Sequence, residues 1–206
     1  RQKLVLQFAV AAAYLISVGV TGSGTGTTIP FVGHIDLGYF YYPLAAILIV
    51  GIVNAVNFTD GIDGLNTTVS FFAYLALSLC AGLLSMTGLT ALGLASAAAC
   101  IGFLIWNFHP AKVFMGDTGS LFMGGMVCAL AFGMDLPILL LPVGIVYICE
   151  IVSVVLQVSY FKATHGKRLF KMSPIHHHFE MCGWSEVKIC GVFGFVSLLG
   201  GAVALL

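Results

Sequence analysis

The sequence predicts an all-α fold, a polytopic bundle of membrane helices, on three observations. Of the 206 residues, 60% are hydrophobic and only 8% are charged, with a mean hydropathy of +1.07. A soluble domain of this size would carry charge on roughly a quarter of its residues. The apolar residues also form continuous runs, whereas the strands of a membrane barrel would alternate every second residue. The zero net charge and the apolar excess exclude disorder and nucleic-acid binding.

Seven apolar stretches approach the roughly 20 residues that a helix needs to cross a bilayer core. They cover residues 4–21, 40–56, 67–86, 89–107, 120–134, 136–161 and 186–206. The fifth is short, so we expect it to be broken or only partly spanning. The sixth is long and contains Pro137 and Pro142 near its start, which predicts tilting or a kink. We expect one transmembrane domain over residues 1–206.

Charge is distributed asymmetrically between the loops. With seven spans, all eight Lys and Arg residues fall on one side of the membrane, Arg1 among them, and the opposite loops contain none. By the positive-inside rule the cation-bearing side is cytoplasmic. The first outer loop, from Thr21 to Gly38, is rich in Gly and Thr and is predicted to be an external segment with many turns.

The first cytoplasmic loop offers carboxylates and amides. Asp60 and Asp63 lie three residues apart, each is followed by glycine, and Asn57 precedes them. Such a pair suits a hard cation or hydrogen bonds from a sugar or base. The alternative is that these side chains only cap and solvate two helix ends.

The second cytoplasmic loop combines a carboxylate with glycines at a predicted helix start. Asp117 lies between Gly116 and Gly119, and Asn107 and Lys112 precede it. A carboxylate placed there can hold Mg²⁺ while backbone amides and Lys112 hold phosphate. The alternative is that Asp117 is an ordinary helix cap.

The third cytoplasmic loop carries three consecutive imidazoles, His176, His177 and His178. Zinc is disfavoured because adjacent residues rarely point at one ion. Imidazoles that donate to phosphate oxygens, beside the nearby lysines and arginine, are the favoured interpretation. The alternative is a basic loop resting on anionic headgroups.

Glu150 is the one ionisable residue predicted to lie deep within a span. An unpaired carboxylate there is costly, so we expect Glu150 to face the bundle interior. It is a candidate for a polar groove with Gln157, two helical turns further towards the cytoplasm. An interhelical hydrogen bond of purely structural value is the alternative.

The three loops resemble the polyprenyl-phosphate N-acetylhexosamine-1-phosphate transferases. The resemblance rests on NFTDGIDGL at 57–65, NFHPAKVFMGDTGS at 107–120 and PIHHHFE at 174–180. The triple histidine, followed by Phe-Glu and Gly-Trp, is typical of the branch that transfers phospho-N-acetylmuramoyl-pentapeptide.

The resemblance implies a specific reaction. Such an enzyme moves phospho-N-acetylmuramoyl-pentapeptide from UDP to undecaprenyl phosphate, giving UMP and lipid I for peptidoglycan synthesis. It works with Mg²⁺ at the cytoplasmic face of the bacterial inner membrane, typically as a homodimer of ten-helix protomers. A related enzyme with another UDP-N-acetylhexosamine donor is the alternative.

The resemblance also implies roles for individual residues. Asp117 would be a Mg²⁺ ligand, and Asp117, His176 and His177 would be the catalytic residues. Phe114 would stack on uracil. The residues expected to bind substrate are Asn57, Asp60, Asp63, Asn107, Lys112, Phe114, Gln157 and His178.

One departure from the family is plain. The family has a catalytic Asp-Asp pair in a loop just before the region that Arg1 begins, and this chain contains no Asp-Asp dipeptide. We therefore expect the N-terminal part of the domain, about three helices, to lie outside this chain. Two other classes stay open: a transporter or channel that uses Glu150 and the histidines, and a non-catalytic lipid-binding subunit.

Overall fold

The computed structural model describes residues 2–20, 22, 24–29 and 33–206, so Arg1 and Thr21 lie outside the described residues. The fold is helical, as predicted. The helices are α1 (Gln2–Val20), α2 (Tyr41–Thr59), α3 (Leu65–Leu83), α4 (Thr87–Asn107), α5 (Gly116–Gly133), α6 (Leu140–Val143), α7 (Ile145–Ala163), α8 (Ile175–Met181) and α9 (Glu186–Ala204). Strands β1 (Gly26–Ile29) and β2 (Gly33–Asp36) form an antiparallel hairpin in the outer loop, where only turns were predicted.

Six of the described helices are long and apolar enough to cross a membrane, namely α1, α2, α3, α4, α7 and α9. The chain is therefore a multi-pass membrane protein. The fifth predicted span corresponds to α5, which has 18 residues, or about 27 Å of helix. Its first turn contains a charged residue, Asp117.

The packing of α5 shows that it crosses the bundle nonetheless. At one end, Asp117 lies beside Asn57 in the last turns of α2. At the other end, the rings of Phe132 and Tyr41 meet with their centroids 6.4 Å apart. Because Tyr41 begins α2, helix α5 runs the full depth of α2 in the opposite direction. The described helices thus comprise six with the length and hydropathy of membrane spans and α5, which runs beside α2 over its full length.

The sixth predicted span is interrupted rather than continuous. A 3₁₀ turn at Pro137–Leu139 leads into the short helix α6, and α7 begins only at Ile145. Pro142 has no N–H to donate to a helical ladder. Gly144 separates the two helices, and its N–H donates to the carbonyl of Leu140 (3.0 Å). This break agrees with the predicted kink and places it at Gly144.

Small residues allow the helices to approach closely, as is common in membrane bundles. A Cβ on Gly93 would lie 2.8 Å from the Cβ of Ser78, between α4 and α3. A Cβ on Gly124 would lie 2.8 Å from the Cα of Val53, between α5 and α2. The second contact matters most for the site, because α2 and α5 carry Asn57 and Asp117 at their adjoining ends.

The three predicted cytoplasmic loops meet at one end of the bundle. We call this the polar end, defined by residues 60–64, 108–115 and 164–185. It also receives the first turn of α1, where Lys3 reaches Asp117, and the first turn of α9, where Glu186 reaches the backbone of Asp63. The prediction that these loops share one face is confirmed.

The α2–α5 contact gives a stability prediction with a matched control. Gly124→Ala should lower the free energy of unfolding by about 1–3 kcal/mol, because the added Cβ overlaps the backbone of α2. Gly125→Ala should not, because a Cβ there meets nothing within 4 Å. Thermal midpoints in detergent measure both. Equal midpoints for the two variants would contradict the close α2–α5 contact.

Candidate active site at the polar end

Lys3, Asn57 and Asp117 form a hydrogen-bonded cluster where α1, α2 and α5 meet. The Lys3 ammonium donates to Asn57 Oδ1 (3.0 Å) and to Asp117 Oδ2 (2.9 Å). The Asn57 amide donates to Asp117 Oδ1 (3.0 Å) and to Ser120 Oγ (2.8 Å). The Asp117 carboxylate remains 70% exposed. The cluster therefore presents oxygen atoms that already hold one positive charge and are open to solvent.

Lys3 is a site residue that the sequence analysis missed, since it was used only to count charges. Its salt bridge to Asp117 spans 114 residues of sequence. The available signal was its place at the start of a span on the cation-bearing side. That signal predicts a location but not a partner.

Asp60 is held close to this cluster. It follows the last residue of α2, and its carboxylate accepts no hydrogen bond from the described residues. Burial and the neighbouring charge of Asp117 raise the pKa of Asp60 to about 6. A cation bound beside the two carboxylates would oppose both effects, since it stabilises the ionised form.

A second cluster joins three elements around His109. Its Nδ1 lies 3.1 Å from Asp63 Oδ2 and 3.5 Å from Glu186 Oε2. Asp63 Oδ2 also accepts from the Ala111 N–H (2.9 Å), and Glu186 Oε2 accepts from the Asp63 N–H (3.0 Å). The ligand atoms of the three titratable residues lie within 4.8 Å of one another, as in groups that can hold a metal ion. Their mutual bonds already fix the 60–64 loop to α9. Sequence reasoning did not pair Asp63 with Glu186.

The second predicted loop divides into supporting and presented residues. Asn107 is buried; its Oδ1 accepts from Thr67 Oγ1 (2.7 Å) and its amide donates to the carbonyl of Val113 (3.0 Å). The Lys112 ammonium lies over the Trp106 ring, 5.6 Å from its centroid. Phe114 is 73% exposed. Asn107 thus shapes the loop, and Phe114 offers its ring to a ligand.

The three histidines on α8 have three separate sets of partners. His176 is fully buried, with its Nδ1 3.0 Å from Glu150 Oε2. His177 Nδ1 lies 2.6 Å from Glu180 Oε2. His178 Nδ1 accepts from the backbone N–H of Lys171 (3.1 Å). The phosphate-facing role inferred for His176 and His177 stays a prediction, and it fits the partly buried His177 better than the enclosed His176.

The expected groove between Glu150 and Gln157 is not formed, because each has its own partners. Gln157 Oε1 accepts from the N–H groups of Leu169 (3.0 Å) and Phe170 (2.8 Å), and its amide donates to the Phe170 carbonyl (3.2 Å). Glu150 pairs instead with His176 on α8. His176 belongs to the polar end, and the Glu150 side chain is fully buried, as expected for a carboxylate that faces the bundle interior.

An apolar cavity of about 630 Å³ opens at Lys3 and Asp117. It runs between α1, α2 and α5. Its walls are mostly aliphatic and aromatic, including Val10, Val53, Leu121 and Phe122. Lys3 and Asp117 thus line one end of a cavity whose other walls are largely apolar.

The raised pKa of Asp60 predicts how stability depends on pH. Between about pH 4 and pH 6 the folded protein binds more protons at Asp60 than the unfolded chain does, so stability falls as pH rises through this window. Asp60→Asn cannot ionise and escapes this loss. Its thermal midpoint should exceed the wild-type midpoint at pH 7.5 and match it near pH 4. A midpoint difference independent of pH would contradict the burial of the Asp60 charge.

Comparison with known proteins places the chain in a family. The model of glycosyl transferase family 4 matches residues 1–135. The phospho-N-acetylmuramoyl-pentapeptide-transferase of Halalkalibacterium halodurans is 44% identical over 206 residues, covering 100% of this chain and 63% of the relative. That of Clostridium botulinum (strain Eklund 17B / Type B) is 45% identical over 205 residues, covering 95% of this chain and 60% of the relative.

A third curated relative with the same name, from Desulfitobacterium hafniense, is 44% identical and covers 100% of this chain and 65% of the relative. The chain thus spans somewhat less than two thirds of the length of these relatives. Their names confirm the resemblance drawn from the loop motifs. Since the family model matches more than half of its residues, the chain belongs to glycosyl transferase family 4.

Proposed function

We propose that the full-length protein transfers phospho-N-acetylmuramoyl-pentapeptide from UDP to undecaprenyl phosphate and releases UMP and lipid I. The observation that carries the proposal is the Lys3–Asn57–Asp117 cluster, open to solvent at the polar end. Phosphoryl transfer requires charge neutralisation and positioning more than covalent chemistry. The Lys3 ammonium supplies positive charge, and the exposed oxygen atoms beside it can position a cation and the phosphates that the cation binds. The names of the relatives supply the transferred group, and the resemblance of the loop motifs supplies the UDP donor and the polyprenyl-phosphate acceptor.

Mg²⁺ is the proposed cofactor, and the donor set fits it. Hard divalent cations prefer carboxylate and amide oxygens. The cluster contains one of each, the Asp117 carboxylate and the Asn57 amide oxygen, and both already accept hydrogen bonds from the positively charged Lys3 ammonium. Asp60, coupled to the Asp117 charge, adds a further carboxylate close by. When bound, the ion neutralises the pyrophosphate and stabilises the leaving group. Asp117 is the proposed principal ligand, and Lys3 binds anionic oxygens beside it.

The nucleotide end of the donor is assigned to the second loop. The exposed Phe114 ring is suited to stack on uracil. Asn107 holds the loop that carries Phe114, and Asp63 is tied to the same loop through Ala111. Three further residues of the polar end are proposed to bind phosphate or sugar, namely Lys112, His177 and His178. Gln157 acts by holding residues 169 and 170 in place.

The acceptor is proposed to enter from the membrane. Its phosphate lies at headgroup level, which is where the polar end emerges from the apolar helices. The cavity behind Lys3 and Asp117 offers apolar walls to the adjoining polyprenyl chain. The positive-inside rule assigns this end to the cytoplasm. On the resemblance alone, we also propose the bacterial inner membrane and a homodimer.

The proposal predicts a selective loss of activity. Asp117→Asn in the full-length protein should lower Mg²⁺-dependent UMP release by about 10²–10³-fold, because it removes a charge that holds the cation near the transferred group. Asp135→Asn is the matched control. Asp135 is an exposed carboxylate that follows the opposite end of α5, with a φ of 55° that asparagine tolerates.

UMP release is measured from UDP-N-acetylmuramoyl-pentapeptide with undecaprenyl phosphate in mixed micelles. Wild-type activity in Asp117→Asn, or an equal loss in Asp135→Asn, would contradict the assignment of this site. Activity only with another UDP-N-acetylhexosamine would keep the site and change the donor.

A further inference from the structure

Glu150 and His176 form a buried polar pair that the proposed reaction does not use directly. Both side chains are fully enclosed, and Glu150 Oε2 lies 3.0 Å from His176 Nδ1. The remaining polar atom of each side chain, Glu150 Oε1 and His176 Nε2, has no hydrogen-bond partner among the residues that the structure describes. A buried pair of this kind is often no more stabilising than well-packed apolar residues of similar volume. Its presence therefore points to a role other than stability.

The far side of the imidazole faces the first loop. A Cβ added to Gly61 would overlap His176 Nε2 and crowd Cε1. The ring therefore packs directly on the Gly61 backbone, and only glycine leaves room for it. Gly61 follows Asp60, whose carboxylate interacts with the charge of Asp117. The orientation of one buried ring thus bears on the position of a candidate active-site carboxylate.

Helix α7 gives Glu150 a fixed support. One turn before Glu150, the Tyr147 hydroxyl lies 2.7 Å from Ser70 Oγ on α3, in the bundle interior. Tyr147 and Glu150 are both fully buried. The part of α7 that carries Glu150 is therefore held against α3, whereas α8 has only seven residues. The rigid partner of the pair is Glu150, and the part that needs orientation is His176.

We propose that Glu150 is a positioning residue that accepts a hydrogen bond from His176. This bond holds the imidazole ring against the Gly61 backbone, and the ring in turn keeps Asp60 beside Asp117. The inference rests on the proposed function, because positioning of Asp60 has a kinetic consequence only if Asp60 serves the transfer. Carboxylates that orient a histidine commonly change activity by about 10–100-fold when removed.

The contact with Gly61 is tested by stability, independently of any reaction. Gly61→Ala should lower the thermal midpoint of the full-length protein, because its Cβ collides with the ring. In a His176→Ala background, which removes the ring, Gly61→Ala should cost much less. If the changes in thermal midpoint caused by the two substitutions were strictly additive, the proposed contact between the ring and Gly61 would be contradicted, because only uncoupled sites give additive effects. This double-mutant cycle tests the contact between Gly61 and His176 even if the protein has another substrate.

The positioning role is tested by UMP release in the same assay. Glu150→Ala should lower kcat/KM about 10–100-fold, whereas Glu150→Gln should restore most of it, because the amide oxygen still accepts from Nδ1–H. Ser153→Ala is the control: Ser153 is buried on the same helix, and within the described part of the chain its hydroxyl donates only to the Glu150 carbonyl (2.7 Å). It should retain wild-type activity.

Three outcomes would overturn the positioning role. One is wild-type kcat/KM in a folded Glu150→Ala protein. Another is an equal loss in Glu150→Gln and Glu150→Ala, which would show that charge and not orientation matters. The third is an equal loss in Ser153→Ala, which would indicate general disruption of α7. An inactive wild type would instead refute the proposed function and leave the stability cycle to decide the contact.

Discussion

The close antiparallel packing of α5 on α2 is the constraint on which the site depends. Gly124 lets the two backbones approach, and from that contact the helices run to one end where Asn57 reaches Asp117 and Ser120. Lys3 of α1 then completes the cluster. Three helices from distant parts of the sequence thus meet at one charged point. The apolar cavity between the same helices opens there as well.

The cost of leaving polar groups unpaired near a membrane explains how the remaining polar residues are arranged. Three polar side chains form hydrogen bonds with backbone groups of the loops, namely those of Asn107, Gln157 and Glu186. Each fixes a loop that the apolar helices could not hold by themselves. Because these side chains do the supporting, Asp117 and Phe114 stay exposed for ligands. The polar end therefore combines a satisfied scaffold with a small open site.

Hydropathy and charge predicted the helical class, the multi-pass arrangement and the meeting of three loops, because each follows from the cost of placing a side chain in lipid. Pairings were not predicted, because they depend on packing between helices. Lys3 with Asp117, Glu186 with Asp63 and His176 with Glu150 each join residues that the sequence separates widely.

We propose that the junction of α2 and α5 is a cation site. The most direct measurement is an electron paramagnetic resonance titration of Mn²⁺, used as a paramagnetic substitute for Mg²⁺, into the full-length protein with the UDP-linked donor. We predict saturable loss of the free Mn²⁺ signal in the wild type and its absence in Asp117→Asn. Equal Mn²⁺ binding by the two proteins would contradict the account, because the cation would then lie elsewhere.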